Sequence, residues 1–579
     1  MGSERPPAHM LYSEGLEGGG LKGIAQALWG RIPSTMGEAH GVLAGVRERY
    51  SAPLDALEEL KRLAKAQLRK LGILTSRVEE NIEALHGGVM EGGHQPMLLG
   101  GPSLILNKVA YASCLSGLGG GGFVPLLYVA DYDGVQPELT VTRVPSPSPR
   151  GLLISHPSGQ ELEGTPIWRL HNPPEAWLKE TMERIRGNYR GLLKGEAPQT
   201  RDRALMSLDH ALTIVRGAYH STDCVSDWST KILGSIFNLE SDMGVPILQF
   251  STPGTRRLFQ QGYELLLSEP NRSRFVEASN RASGLIEQAG YRSSFGRRAD
   301  DYVPFFLECP SPGCKRTRVE LKYLRVQGSP TASVTGRCPS CGEAHEYSFD
   351  AGAPDLSDII GSISPRVDSR QVIVDSVIPV LAHIGGPGET GYYAEVIPAA
   401  EALGVPFPVF VRYTRTFYNT PWNEKASRSL REQGYPSLAS DELFRAIGRW
   451  VEARNEGNRE KLWSAHSEIR SSIDKTHSAL VDELRSIQSR LGDNKARLRD
   501  SVERAPLISE MRKKQALAQE IESYLSSAFG RFSQERFGQE VSWAWLDLAA
   551  AAGVSDLMGV FKRVYNEDTP NSSMFYVNL

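Results

Sequence analysis

Apolar and polar positions change their period along the chain, and the changes mark its parts. In the first 90 residues Leu54, Leu57, Leu60 and Ala64, then Leu68, Leu71 and Val78, recur at helical spacing and predict helices that bury one stripe. Gly15 to Gly20 predicts a loop. Val89 to Ser103 reads as a glycine-rich turn entering a helix over Leu104–Leu118 that carries Lys108. Phe123–Ala130 reads as a buried strand that ends in Asp131-Tyr-Asp-Gly134. Pro145-Ser-Pro-Ser-Pro149 marks an irregular connection. Helical patterns follow at Pro174–Lys194, Arg203–Tyr219, Arg256–Leu267 and Arg274–Ala289, with strands at Val245–Phe250 and Gly404–Arg412, so strands alternating with helices predict a parallel α/β sheet. Toward the end, Leu462, Ile469, Ile473, Leu480, Leu484, Ile487, Leu491, Leu498 and Val502 step by threes, fours and sevens. Pro506 interrupts them, and a stripe from Met511 to Phe532 returns, which predicts an antiparallel helical hairpin. Val541–Tyr565 adds one or two helices, and Phe575–Leu579 a short final strand.

Candidate chemistry gathers at Pro379–Ala394, where an apolar run opens into Gly385, Gly386, Pro387 and Gly388 before Glu389. This predicts a strand, a tight turn and a helix start. The glycines permit φ > 0 or a close approach, and a helix beginning near Glu389 would favour negative charge beside its first amides. A plain β-to-α connection would look the same at this level. Asp131 and Asp133 fall just past a buried strand, where open α/β sheets bind ligands, although Asp133-Gly134 alone also fits an ordinary turn. No GxGxxG with an acidic partner follows the first strand, which disfavours an NAD dehydrogenase.

Composition narrows the classes. The 579 residues suggest roughly two to four structural units. A net charge of −3 removes the usual footprint of a nucleic-acid binder. No apolar run is long enough to cross a bilayer, and Met1-Gly-Ser-Glu-Arg-Pro-Pro7 has neither a signal-peptide core nor, with Pro6 where Ser or Thr is needed, a myristoylation site. These features predict a cytoplasmic protein with no membrane partner. Of six cysteines, four form the pairs Cys309/Cys314 and Cys338/Cys341 on Pro/Gly knuckles around a β-rich stretch, the form of a zinc ribbon. Four thiolates would close a tetrahedral shell, so the Zn²⁺ is expected to be structural. His345 and His383 lack ligand spacing.

Ser364-Pro-Arg-Val-Asp-Ser-Arg370, Asp375, Pro379, Ala382, Gly385-Gly-Pro-Gly-Glu389 and Tyr392 together resemble a segment of the bacillithiol-biosynthesis cysteine-adding enzymes, the BshC family. Gly93-His-Gln-Pro96, Gly100-Gly-Pro102 and Lys108 resemble that family's upstream elements, and Arg412, Thr414 and Thr416 a later one. The similarity covers roughly residues 75–140 and 355–535, with the GGPGE segment its specific part. Four features depart from the family: Ala130–Gly134 lacks the histidine of the acidic element, His383 replaces a tyrosine, Val374 replaces a glutamine, and the zinc ribbon is not a feature of the typical member. His383-Ile-Gly-Gly also resembles the HIGH element of class I aminoacyl-tRNA synthetases, but it lacks the second histidine and no KMSKS-like loop appears.

The BshC resemblance implies a Rossmann-like core and a coiled-coil arm that forms a homodimer. It also implies a ligase joining cysteine to the amine of an amino-sugar conjugate such as glucosaminyl malate. ATP with Mg²⁺ would activate the carboxylate, though no P-loop is present. Asp131, Asp133, Lys108 and Glu389 are the implied catalytic set. His94, Gln95, Gly100, Gly101, Arg370, His383, Gly385, Gly386, Gly388, Tyr392 and Arg412 are the implied substrate- or anion-binding set. The predicted division is 1–88 helical segment on the core, 89–300 first part of the core with a helical insertion, 301–350 zinc ribbon, 351–440 second part of the core, 441–535 coiled-coil arm, and 536–579 helical return. A different class also fits the lost histidine and the added ribbon: a non-catalytic protein binding a protein or RNA partner through ribbon and arm.

Overall fold

The structure, a computed structural model, describes residues 5–17, 20–50, 54–325, 328–438, 441–500, 504–533 and 536–579. Five parallel strands form its central sheet, in the order Val409–Arg412, Val380–Gly385, Val89–His94, Val124–Val129, Ile247–Gln249. Numbered along the chain this is 5-4-1-2-3. The order reverses between the first and fourth strands, as in doubly wound Rossmann-like sheets, and ligands bind such sheets in the crevice beyond that reversal. Helices Leu104–Gly117 and Pro387–Ala402 pack beside these two strands, and almost every strand residue is buried.

Two differences from the sequence reading concern local structure. Val89–His94 is the middle strand of the sheet rather than part of a turn, because pairing on both sides overrides the weak strand preference of Val-Met-Glu-Gly-Gly-His. Gly15 lies inside the helix His9–Glu17, packed so closely on Ala25 that an added Cβ would fall 2.4 Å from it. Gly18 and Gly19 lie outside the described residues, as do Met1–Glu4 and Val502.

Between the third and fourth core strands lies an antiparallel five-stranded sheet, ordered Ile363–Pro365, Tyr302–Glu308, Arg318–Arg325, Thr331–Arg337, Ala344–Asp350. Its edge strand Ile363–Pro365 comes from chain beyond residue 350. Glu308, fully buried, ties this sheet to the core through Arg256 at 2.5 Å and to its own loop through Arg316 at 3.2 Å. Farther on, the 42-residue helix Arg459–Asp500 packs against Asp441–Asn455 and Arg504–Tyr524. At 1.5 Å per residue it is roughly 63 Å long. Leu462, Ile469, Ile473, Leu480 and Ile487 form its buried stripe. The C-terminal strand Met574–Asn578 returns to pair in parallel with Arg415–Asn419. No helix among the described residues is long and apolar enough to cross a membrane.

Candidate active site at the switch point

At the carboxyl ends of the first and fourth strands opens a cavity of about 670 Å³. Its wall includes the turn into helix Pro387–Ala402. Gly386 caps this helix in an extended conformation with φ −98°, and its amide donates to Glu389 Oε2 at 2.7 Å. None of Gly385, Gly386 and Gly388 uses the left-handed region. Gly385 is required for another reason: an added Cβ would lie 2.5 Å from the Phe410 ring on the neighbouring strand. Gly388 has open space around it.

Beneath the turn runs a buried chain of charges. Lys108 Nζ sits 2.6 Å from Glu389 Oε2 and donates to the Gly93 carbonyl at 3.0 Å. His383 Nε2 lies 3.4 Å from Glu389 Oε1, without hydrogen-bond geometry, and its Nδ1 lies 3.5 Å from Glu91 Oε2. Glu91 pairs in turn with Arg370, which also donates to Tyr393 Oη at 3.1 Å. The register explains the meeting, since Glu91 and His383 are direct neighbours on adjacent parallel strands. Burial alone would raise Glu91, but Arg370 and then His383 overcome it and bring the carboxyl down to about 2. Burial is likewise overcome at Glu389, where Lys108 and then His383 hold the acid well below its ordinary value.

Asp133 faces the cavity from the opposite wall. Its Oδ2 accepts from Gln95 Nε2 at 3.0 Å and its Oδ1 from Arg318 Nη1 at 3.2 Å. Beside it, His94 places Nδ1 2.9 Å from the Gln95 carbonyl, which can only accept, so the proton is assigned to Nδ1 and the lone pair to Nε2. Burial, and then the charge of Lys108, push this imidazole down to about 4.

The cavity thus brings together His94, Gln95, Lys108, Asp133, Arg370, Gly386, Gly388, Glu389 and Tyr392 of the residues named from the sequence. Others sit elsewhere. Asp131 turns away and accepts from the Ser251 amide at 2.8 Å, its carboxyl pushed up to about 7 by burial. Gly100 and Gly101, with φ of 84° and 79°, shape a turn docked on Trp545, whose Nε1 donates to Leu99 O at 2.8 Å. His383 and Gly385 lie below the cavity floor. Arg412 points under the N-terminal helix, donating to His9 O at 3.3 Å and Ser13 Oγ at 3.1 Å. Sequence reasoning missed Glu91, Arg318, Tyr393 and the cavity-lining Tyr413; an acid followed by two glycines inside Val89–His94 was the one available signal.

The profile of the bacillithiol biosynthesis BshC N-terminal Rossmann-like domain matches residues 353–413, which hold the fourth and fifth core strands and the GGPGE turn. Three curated relatives bear the name "Putative cysteine ligase BshC". The Carboxydothermus hydrogenoformans protein is 23% identical over 416 residues, covering 67% of this chain and 70% of that protein. The Chlorobaculum tepidum protein is 28% identical over 123 residues, 20% of this chain and 22% of the relative. The Prosthecochloris aestuarii protein is 32% identical over 82 residues, 14% of this chain and 15% of the relative. These matches support the bacillithiol-biosynthesis BshC family as the one this chain is similar to.

In this BshC-like chain a second cluster stands apart from the charge chain. The sulfurs of Cys309, Cys314, Cys338 and Cys341 all lie within 4.8 Å of one another, an arrangement that could hold a metal ion. Cys309 and Cys341 are 3.6 Å apart and Cys314 and Cys338 3.8 Å. Tetrahedral Zn²⁺ with bonds of ~2.3 Å sets its sulfurs ~3.8 Å apart, so the donor set fits that ion. His345 Nε2 lies 3.3 Å from Cys309 Sγ, in reach of a hydrogen bond to the thiolate rather than as a fifth ligand.

Proposed function

We propose that this protein is a carbon–nitrogen ligase that joins an amino acid, cysteine by family resemblance, to the amine of a small anionic acceptor such as an amino-sugar conjugate. The observation that carries the reading is the switch-point cavity, where paired cations and carboxylates converge on the GGPGE turn. Buried charge of this density is costly to maintain and clusters at sites of chemistry. ATP, when bound, would supply the activation that a carboxylate needs before it can form an amide.

The chain's own groups divide the remaining work. Lys108, Arg370 and the first free amides of helix Pro387–Ala402 receive carboxylate or phosphate oxygens. Glu389 holds both Lys108 and the Gly386 amide in place, and it receives the ammonium group of the amino acid. Asp133 accepts a hydrogen bond from the acceptor amine, and the neutral His94, with its lone pair on Nε2, takes the proton released as the carbon–nitrogen bond forms and the carboxyl oxygen that ATP would activate leaves with its phosphate. Asp131, held by Ser251 outside the cavity, supports the loop instead of touching substrate.

Two further assignments complete the proposal. The four cysteines hold one structural Zn²⁺, and the helical arm forms a homodimer, supported by the exposed Phe444, Val451, Trp463 and Ile508 along it. Incubating purified protein with ATP, cysteine and glucosaminyl malate, with mass spectrometry of the products, tests the reaction. A cysteinyl conjugate is the expected product. Its absence, in an assay where a verified family member makes it, refutes the ligase and leaves the binding-only reading.

A further inference from the structure

A second cavity, of about 960 Å³, lies between the loop 133–136 and turn 161–165 on one side and the cysteine knuckles on the other. Asp133 lines both cavities. Its two oxygens face opposite ways, Oδ2 to Gln95 in the switch-point cavity and Oδ1 to Arg318 of the antiparallel sheet. Arg318 is fixed in turn, lying 4.1 Å over the Phe306 ring and donating to Pro365 O at 3.2 Å. Its backbone amide also bonds Gly164 O at 3.3 Å, which joins the sheet to the facing wall. Asp133, the residue shared by the two linings, is therefore held by an ion pair whose other half comes from the antiparallel sheet.

The lining indicates what the second cavity takes. Lys315, Thr317 and Ser340 face it from the knuckle side, and Gln136, Thr165 and Glu163 from the other. A triphosphate would meet Glu161, Glu163 and Asp133 as like charges, which disfavours the nucleotide here. Hydroxyls, an amide, carboxylates and an ammonium together match a ligand whose groups both donate and accept, while the Phe306 ring is already covered by Arg318 and Arg366. A polyhydroxylated ring has such groups on every side.

We propose that this cavity binds the sugar-like body of the acceptor, whose amine reaches past Asp133 into the switch-point cavity, so that the cysteine-bearing sheet determines acceptor specificity. The inference rests on the ligase reading, and its test separates the two. Methyl glucosaminide is titrated calorimetrically into the full-length, zinc-loaded protein, and KM is measured for cysteine, ATP and glucosaminyl malate. Gln136→Trp fills the cavity from the wall opposite the cysteines, and Lys315→Ala removes one exposed charge. In Gln136→Trp the probe's Kd and the acceptor KM are expected to rise roughly tenfold or more, while the KM values for cysteine and ATP stay within about twofold. Lys315→Ala is expected to give a smaller shift in the same direction and covers the case in which the tryptophan variant misfolds. If wild-type protein makes no conjugate, the ligase reading itself falls. If it makes conjugate but fails to bind the probe, or if a folded variant pair leaves acceptor KM unchanged, only the cavity assignment falls.

Discussion

Lys108→Met is the sharpest test of the charge chain. The lysine is 4% exposed and its partner Glu389 16%, with 2.6 Å between them. Removing one member of a buried pair leaves the other charge uncompensated, at a cost of about 3–5 kcal/mol. Glu389 keeps the Gly386 amide and some solvent, which favours the lower end, about 3 kcal/mol. The sign of the pH dependence follows from the causes at Glu389. In the wild type its carboxyl sits below 4.5, so its contribution is present above that pH and lost as pH falls toward the folded value. Without Lys108, burial is opposed by His383 and the hydrogen bond alone, the carboxyl rises, and ionising it costs stability as pH increases. The deficit of Lys108→Met should therefore be larger at pH 8 than at pH 5.5. Urea unfolding of the wild type, Lys108→Met, Glu389→Gln and the double variant at both pH values measures it. The double variant should recover about 1.5–3 kcal/mol relative to the sum of the singles. A deficit under about 1 kcal/mol at pH 8, a deficit independent of pH, or strictly additive singles would refute the electrostatic account.

Other consequences are as direct. Gly385→Ala forces a Cβ to 2.5 Å from Phe410 and should cost about 1–3 kcal/mol, whereas Gly388→Ala, in open space, should stay within about 0.5 kcal/mol; equal melting shifts would overturn the packing argument. Burial raises Asp131 from 3.8 to about 7, so the native state holds its proton across that window and stability falls as pH rises through it, by up to about 4 kcal/mol. Asp131→Asn should remove that slope in denaturation measured from pH 5 to 8, and an unchanged slope rules the assignment out. Metal analysis should find about one zinc per chain, lost with a lowered melting temperature in Cys338→Ser; metal-free wild-type protein of equal stability would exclude the structural ion. Sedimentation equilibrium should give twice the chain mass, shifted toward monomer by Trp463→Glu with Val451→Glu, and a monomeric wild type at micromolar concentration would dismiss the arm as a dimer interface.

What the sequence made legible follows from the range of each interaction. The Pro387 helix start, the Leu104 helix and the buried Phe123 strand are set by local period and by glycine and proline, and the structure places them within a few residues of expectation. The same local reading could not find the strand Val89–His94. Two glycines and a glutamate read as a turn until strands on both sides enforce extension, because strand preference is mostly a property of neighbours. Arg412 shows the converse error. The resemblance implied an anion-binding role for it, yet helix His9–Glu17, some 400 positions earlier, covers it. Arg318 shows a third limit: nothing near it in sequence says that a residue of the cysteine-bearing sheet reaches Asp133.

The pairing of charges bears on what the cavity can receive. Lys108, Arg370 and Arg318 each arrive already matched, with Glu389, Glu91 and Asp133. A cavity lined with unmatched cations would select a polyanion; one lined with matched pairs offers donors and acceptors side by side at little net charge. That suits a zwitterion, whose carboxylate can approach Lys108 or Arg370 while its ammonium approaches Glu389 or Asp133, each contact exchanging one partner for another without exposing a bare buried charge. His383 stands between two of these acids, with Nδ1 3.5 Å from Glu91 and Nε2 3.4 Å from Glu389. A tyrosine at this position would offer one hydroxyl. The imidazole turns one nitrogen toward each carboxylate, and so places the Arg370–Glu91 and Lys108–Glu389 pairs side by side.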